Sequence, residues 1–193
     1  MVFGKNSKMH LMTFESLNKY HQFGMDRVTA GMITVLGTDL GGLYYYREDC
    51  GTIISDASVH ALPFPNKKIL QKRISRLKRN AILLSSYLES NLSAIRPDVK
   101  YVTYPGTGSF FTLRFEKKYQ TVSYYKKFVR KVVDQAKKQN ADLVAGTSFG
   151  LNTTRIYHVI PHDKSFEPFI RIAAGSEDRV SLEKLISVFE HVL

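Results

Sequence analysis

The chain has 193 residues, of which 44% are hydrophobic, enough for one compact core or for a small domain with part of another. Its single cysteine, Cys50, excludes an intrachain disulfide and fits a reducing compartment. No apolar run approaches the roughly 20 residues of a membrane span, and the N-terminal residues lack the apolar segment of a signal peptide. We therefore expect a soluble, cytoplasmic protein with no membrane partner.

The net charge of +11, from 28 Lys and Arg against 17 Asp and Glu, raises the expectation of an anionic partner. Seven basic residues lie between Lys67 and Arg79, and a second group lies between Lys117 and Lys138. Both stretches have the pattern of helices with a solvated basic face. The charge is therefore interpreted as helix surface, and a nucleic-acid partner is disfavoured.

The first third of the chain has few regular patterns. Residues 1–19 are expected to be irregular, and residues 28–36 (VTAGMITVL) are typical of a strand followed by a Gly-rich turn at residues 38–42. The pattern of residues 43–46 does not decide between helix and strand, and prolines at 63 and 65 indicate a loop.

Residues 66–92 predict a long helix. Asn66 is suited to cap its N-terminus, and the helix should end before Pro97. Apolar residues recur at steps of four and three, which places them on one face. They are Leu70, Ile74, Leu77, Ala81, Leu84 and Leu88.

The remainder alternates strands and helices. Strands are predicted at residues 99–104, 109–115 and 169–173, with a short edge-like run at 143–144; helices are predicted at residues 123–139 and 182–193. This order predicts a small α+β domain with helices covering one face of a mostly antiparallel sheet.

Two distant stretches resemble one protein family. Ser16-Leu17-Asn18-Lys19-Tyr20, with Ala30-Gly31 beyond it, resembles the Ser-x-Thr-Lys-Tyr stretch and following strand of the Cys/Met-metabolism enzymes that use pyridoxal 5'-phosphate (PLP). Thr147-Ser148-Phe149-Gly150 and Arg171 through Asp178 (RIAAGSED) are similar to that family's Ser-Leu-Gly turn and its Arg-x-x-x-Gly-x-Glu-Asp segment. Cystathionine γ-synthase, the cystathionine lyases and methionine γ-lyase belong to this family.

The resemblance implies an α/β protein of fold type I, represented by two parts. Residues 1–65 would be a remnant of the large PLP-binding domain, and residues 66–193 would be the C-terminal small α+β domain. The implied function is a truncated PLP-dependent carbon–sulfur lyase or transferase of trans-sulfuration, with an amino-acid substrate and a homo-oligomeric complete enzyme.

The resemblance also implies the role of Lys19. In PLP enzymes a lysine amine forms an imine with the cofactor aldehyde and later moves protons at the α-carbon of the substrate. Ser16 and Asn18 would contact the cofactor phosphate. Asn18 departs from the family, in which a second hydroxyl is usual, although its amide can still donate a hydrogen bond.

For the substrate, the resemblance implies Arg171 and Ser148. A guanidinium binds an α-carboxylate through two parallel hydrogen bonds. The alternative is a surface strand arginine with Glu167 or Asp178 near it. Ser148 would position the lysine or the substrate carboxylate, and otherwise it is an ordinary turn serine.

Other chemistry is poorly supported by the sequence. The six histidines have no metal-ligand spacing, and the Gly-rich turn lacks the Lys-Ser/Thr pair of a phosphate-binding loop, so neither a metal site nor a nucleotide site is expected.

In the family, the Gly-rich phosphate loop, the aromatic residue stacked on the cofactor ring and the aspartate paired with its nitrogen precede the lysine. Only 18 residues precede Lys19. We therefore expect the isolated chain to be inactive and residues 28–36 to be partly exposed. Three alternatives remain: an aminotransferase-like PLP enzyme, a basic nucleic-acid-binding module and a non-catalytic interaction domain.

Overall fold

The structure is a computed structural model that describes residues 11–36, 41–96, 98–163 and 165–192. The chain divides into two compact units, Met1–Pro65 and Asn66–Leu193. This division falls at the boundary expected from the sequence, whereas the assignment of the first unit as a remnant of a PLP-binding domain stays a prediction.

The first unit contains an antiparallel strand pair and two helices. Strand β1 (Leu11–Ser16) pairs with β2 (Gly31–Leu36), with Leu11 opposite Leu36 and Ser16 opposite Gly31. Helices α1 (Gly41–Asp49) and α2 (Asp56–Ala61) follow. The predicted strand is confirmed for its last six residues, and it is largely exposed, as expected.

Two expectations for this unit need correction or completion. Residues 1–19 were expected to be irregular, and this is wrong for β1; the strand is exposed along its whole length, so no alternation of apolar residues marks it. The undecided residues 43–46 lie within α1. Residues 37–40, which include most of the predicted Gly-rich turn, lie outside the described residues.

The second unit begins with α3 (Lys67–Ile95), and Asn66 caps it by accepting the backbone N–H of Ile69 at 3.0 Å. A five-stranded sheet follows in the order β3-β4-β7-β6-β5, in which only the β5–β6 pair is parallel. The strands are β3 (Val99–Thr103), β4 (Phe110–Phe115), β5 (Leu143–Ala145), β6 (Thr154–Val159) and β7 (Phe169–Ala173). The remaining helices are α4 (Val122–Lys138) and α5 (Arg179–Val192).

The core lies between the three helices and one face of the sheet. Buried residues of that face pack against α3, α4 and α5; they are Phe111, Leu113, Phe115, Ile156, Ile170 and Ile172. On α3 the predicted apolar face is buried from Leu77 onward, whereas Ile74 is 40% exposed. The predicted architecture of helices on a mostly antiparallel sheet is therefore confirmed, although strand β6 of this sheet was not predicted.

The other side of the sheet is called the polar face. Its half-buried residues come from four strands and include Tyr101, Thr112, Arg114, Arg155, Tyr157 and Arg171. Among the described residues, no helix is long and apolar enough to cross a membrane.

Candidate functional site

Lys19 lies in the loop between β1 and β2. The backbone N–H of Leu17 donates to Ala30 O at 2.9 Å, which extends the strand pairing into the loop. The carbonyl of Lys19 accepts the N–H of Gly24 at 3.3 Å, and the residue is half-buried. The lysine is therefore presented by an ordered turn next to the end of a paired strand.

Gln22 holds this loop together, although no sequence pattern marked it. Its side chain is fully buried and bonds only to backbone groups. Oε1 accepts the N–H groups of Arg27 (2.8 Å) and Val28 (3.0 Å), and Nε2 donates to the carbonyls of Leu17 (3.0 Å) and Val28 (2.6 Å). Because all four bonds cross the loop, Gln22 fixes the backbone on both sides of Lys19.

The loop also contains backbone that side chains rarely adopt. Phe23 has φ of 51° and Asp26 has φ of 49°, while Gly24 has φ of 78°. A bulky residue in the left-handed region costs free energy and persists only where neighbouring bonds enforce it. The four hydrogen bonds of Gln22 hold the loop backbone in this conformation.

Ser16 and Asn18 flank Lys19 differently. Asn18 Oδ1 accepts the N–H of Ala30 at 3.0 Å, and its Nδ2 donates to Thr29 Oγ1 at 3.5 Å. Ser16 is exposed and its Oγ accepts the N–H of Asn18 at 3.3 Å, which leaves the hydroxyl proton for another acceptor. The three predicted cofactor residues therefore lie together where β1 meets the loop. The side-chain amide of Asn18 is already hydrogen-bonded to Ala30 and Thr29.

In the second unit, Arg171 lies at the centre of the polar face. It stands on β7 opposite Thr112 of β4 and Tyr157 of β6 and is half-buried. Glu167 instead pairs with Lys100 at 3.1 Å, and Asp178 caps α5 by accepting the N–H of Ser181 at 2.8 Å. Within the described ranges no hydrogen bond or ion pair engages Arg171, so the alternative of a surface pair with Glu167 or Asp178 is not observed.

The turn containing Ser148 folds over the polar face. The Phe149 ring packs against Phe110 of β4, with centroids 6.5 Å apart, and Gly150 turns the chain with φ of 75°. Arg73 of α3 anchors the turn from the other side, since its Nη2 donates to Gly150 O at 2.9 Å. The structure therefore places Ser148 and Arg171 on the same side of the sheet.

Arg73 departs from the expected solvated basic face of α3. Besides Gly150, its guanidinium bonds Asn152 Oδ1 at 2.7 Å, and the residue is half-buried, whereas Lys72 and Arg76 are exposed. A run of basic residues in the sequence does not show which one of them is turned toward the protein and which are exposed.

The Gly-Ser-Glu-Asp segment after β7 has structural roles. A Cβ added at Gly175 would lie 2.2 Å from Asn152 O, so only glycine fits. Buried Glu177 accepts the N–H of Thr154, the first residue of β6, and Asn80 of α3 donates to the carbonyls of Gly175 and Glu177, both at 3.0 Å. Burial raises the pKa of the Glu177 carboxyl, and the bonds from Thr154 and Asn80 oppose this only in part.

Comparison with known proteins identifies the fold. No protein-family profile matches the chain. A bifunctional enzyme, flvA, from Aspergillus flavus is 26% identical over 180 residues, which are 87% of this chain and 21% of that protein.

Three solved structures, each 17% identical, superpose on this chain. They are a cystathionine gamma-lyase from Lactobacillus plantarum (TM-score 0.61, covering 93% of this chain and 51% of that one), a cystathionine gamma synthase from Xanthomonas oryzae pv. oryzae (0.64, 94% and 51%) and a methionine gamma lyase from Micromonospora echinospora (0.62, 93% and 48%). The chain thus has the fold of the C-terminal part of fold-type I PLP enzymes, as its motifs predicted, and it spans about half the length of these structures.

Two groups of the first unit are suited to bind PLP. The amine of Lys19 is carried by a fixed turn, and the Ser16 hydroxyl retains a proton to donate. The amide of Asn18 already serves Ala30 and Thr29, so its predicted contact with the phosphate would compete with the loop. The residues present therefore fit the lysine-bound end of the cofactor and one phosphate contact.

Proposed function

We propose that this chain forms the lysine-bearing and C-terminal part of a PLP-dependent carbon–sulfur lyase or transferase of the trans-sulfuration type. The main support for this proposal is the Lys19 loop, in which the fully buried side chain of Gln22 fixes the backbone on both sides of Lys19. The fold shared with the cystathionine and methionine enzymes supports the same conclusion.

Lys19 is assigned the bond to the cofactor and the transfer of a proton at the α-carbon of the substrate. Such a group must be held within a few tenths of an ångström to act efficiently. The bonds that Gln22 makes to Leu17 and Val28 supply this positioning from both ends of the loop.

Ser16 is assigned a hydrogen bond to the cofactor phosphate, through the proton that its bond from Asn18 leaves available. Asn18 acts on the site through the loop, since it ties residue 18 to residue 30. When bound, PLP supplies the electron sink that lowers the barrier to reaction at the α-carbon.

Arg171 is assigned the α-carboxylate of an amino-acid substrate. Arg171 is half-buried and pairs with no carboxylate of the described residues, and such a guanidinium is suited to bind a ligand carboxylate by two parallel bonds. Ser148 is assigned to the same carboxylate or to the orientation of the lysine, because its turn folds over the face that bears Arg171.

The 193-residue polypeptide alone is proposed to lack turnover. The chain spans about half the length of the solved PLP enzymes that share its fold. The complete enzyme is proposed to be homo-oligomeric and cytoplasmic.

Reductive trapping tests the assignment of Lys19. The chain is incubated with PLP, reduced with borohydride and mapped by mass spectrometry to locate the modified lysine. We expect label on Lys19 in excess of other lysines and its loss in Lys19→Ala, but not in Lys72→Ala, which changes an exposed lysine of α3. Label spread over exposed lysines and unchanged by Lys19→Ala contradicts the assignment, and turnover of an amino-thiol substrate by the polypeptide alone contradicts its inactivity.

A further inference from the structure

Arg155 stands beside Arg171 on the polar face. The β6–β7 register places Arg155 opposite Ala173 and Tyr157 opposite Arg171, so the two arginines are diagonal neighbours on adjacent strands. Both are half-buried. The sequence pattern did not single out Arg155, because β6 was not recognised as a strand.

The side chain of Arg155 reaches toward the turn that carries Ser148. A Cβ added at Gly146 would lie 3.1 Å from Arg155 Nη1 and 3.9 Å from its Cζ, so the guanidinium lies over Gly146. Gly146 directly follows β5 and precedes residues 147–150 of the turn. The absence of a side chain at position 146 therefore makes room for this guanidinium.

Among the residues that the structure describes, no carboxylate neutralises either guanidinium. Arg155 Nε is buried without a hydrogen-bond partner, and within the described residues no carboxylate pairs with Arg155 or Arg171. Arg114 on the same face also has a buried Nε without a partner and no carboxylate paired with it among the described residues, but its guanidinium donates to the Tyr101 hydroxyl at 2.7 Å and lies 5.4 Å from the centroid of the Phe169 ring. Two neighbouring half-buried cations without a counter-charge are costly unless an anion binds them.

The strand order gives the approximate backbone separation over which a shared ligand would lie. Gly146 follows β5 and Arg171 is on β7, with β6 between them. Two strand spacings amount to about 10 Å. Tyr157 stands between them on the same face.

We propose that Arg155 forms a second anion subsite, which selects amino-acid substrates whose side chain ends in a carboxylate. The inference rests on the proposed function, since it takes Arg171 as the site of the α-carboxylate. Arg155 would then bind the distal carboxylate near Gly146 and the Ser148 turn, and it would discriminate against neutral side chains of equal length.

Binding of matched amino acids to the full chain tests this subsite. Calorimetric titration compares L-2-aminoadipate with L-norleucine, which has the same carbon chain without the distal carboxylate, and with O-phospho-L-serine. We expect aminoadipate to bind about tenfold more tightly than norleucine, the effect of one charge-assisted pair. Arg155→Gln should remove this preference without changing norleucine, Arg155→Lys should restore it in part, and Arg171→Gln should weaken both ligands.

Arg130→Gln is the control, because Arg130 is exposed on α4. A preference that survives in Arg155→Gln overturns the inference, as does absence of aminoadipate binding to the unmodified chain; tighter binding of phosphoserine overturns the assignment to carboxylate. Since Lys19 takes no part in these titrations, the trapping experiment decides the proposed function separately.

Discussion

The buried carboxylate of Glu177 accepts the backbone N–H of Thr154, which ties the segment after β7 to the first residue of β6. Gly175 in the same segment donates its N–H to Thr154 Oγ1 at 3.0 Å. The Gly-Ser-Glu-Asp segment is thus a structural connection between the strands that carry Arg155 and Arg171.

Glu177→Gln should change how stability depends on pH. Burial raises the pKa of Glu177 in the folded chain, so its contribution to stability is fully present below the ordinary carboxyl pKa and is lost as pH rises through the folded value. The glutamine stays uncharged and still accepts the Thr154 N–H. We expect the stability of the variant relative to the parent to increase as pH rises above the ordinary carboxyl range, measured by urea unfolding.

The matched control is Glu183→Gln, because Glu183 is exposed on α5 and pairs only with Arg179 at the surface. Its stability difference from the parent should stay within about 0.5 kcal/mol across the same pH range. A Glu177→Gln difference that is constant with pH would show that the folded carboxyl is not perturbed.

Gly175→Ala should destabilise the second unit. The added Cβ would lie 2.2 Å from Asn152 O and 2.6 Å from Glu177 Oε1, and backbone must move to relieve the first contact. We expect a loss of about 1–3 kcal/mol in unfolding free energy. Gly42→Ala, where the added Cβ meets no atom within 4 Å, should leave stability unchanged or increase it slightly; equal effects of the two changes would contradict the steric argument.

The sheet shows why sequence patterns found some elements and missed others. Strands β4 and β7 have continuous apolar or alternating patterns because one of their faces is fully buried. On the buried face of β6 the core residue Ile156 stands between two polar residues, Thr154 and His158, so hydrophobic alternation does not reveal this strand. A strand whose buried face is itself largely polar lacks the alternation of apolar residues by which strands are recognised.

The candidate site divides in the same way. Lys19, Ser16, Asn18, Arg171 and Ser148 could be named because each belongs to a motif that resembles a family. Gln22, Arg73 and Arg155 could not, since their importance arises from bonds or neighbours distant along the chain or from burial that no local pattern encodes.

Tyr124→Phe should weaken the second unit below pH 10. The Tyr124 hydroxyl bonds Asp98, and burial together with this bond raises its pKa to about 12. Its stabilisation is therefore fully present below the ordinary tyrosine pKa of 10.0 and is lost as pH rises to about 12. We expect a loss of about 1–3 kcal/mol near neutrality that shrinks between pH 10 and 12.

Tyr119→Phe provides the comparison for this change, because the Tyr119 ring lies 5.2 Å from the Tyr124 ring. Loss of the Tyr119 hydroxyl should lower the free energy of unfolding by less than about 0.5 kcal/mol at any pH. If both variants lose the same stability, the Asp98 bond is not the cause.

Gln22→Glu should release the Lys19 loop. The carboxylate keeps the acceptors for Arg27 and Val28 but loses the donors, and it places a charge against the carbonyls of Leu17 and Val28. Because the second carboxylate oxygen would be buried against two carbonyl oxygens, we expect faster amide exchange at Val28 and less labelling of Lys19 by reductive trapping with PLP. The neighbouring change His21→Ala, which removes only a bond to exposed Glu15, should leave both readouts unchanged. Undiminished labelling with accelerated exchange would show that the fixed loop does not position the lysine.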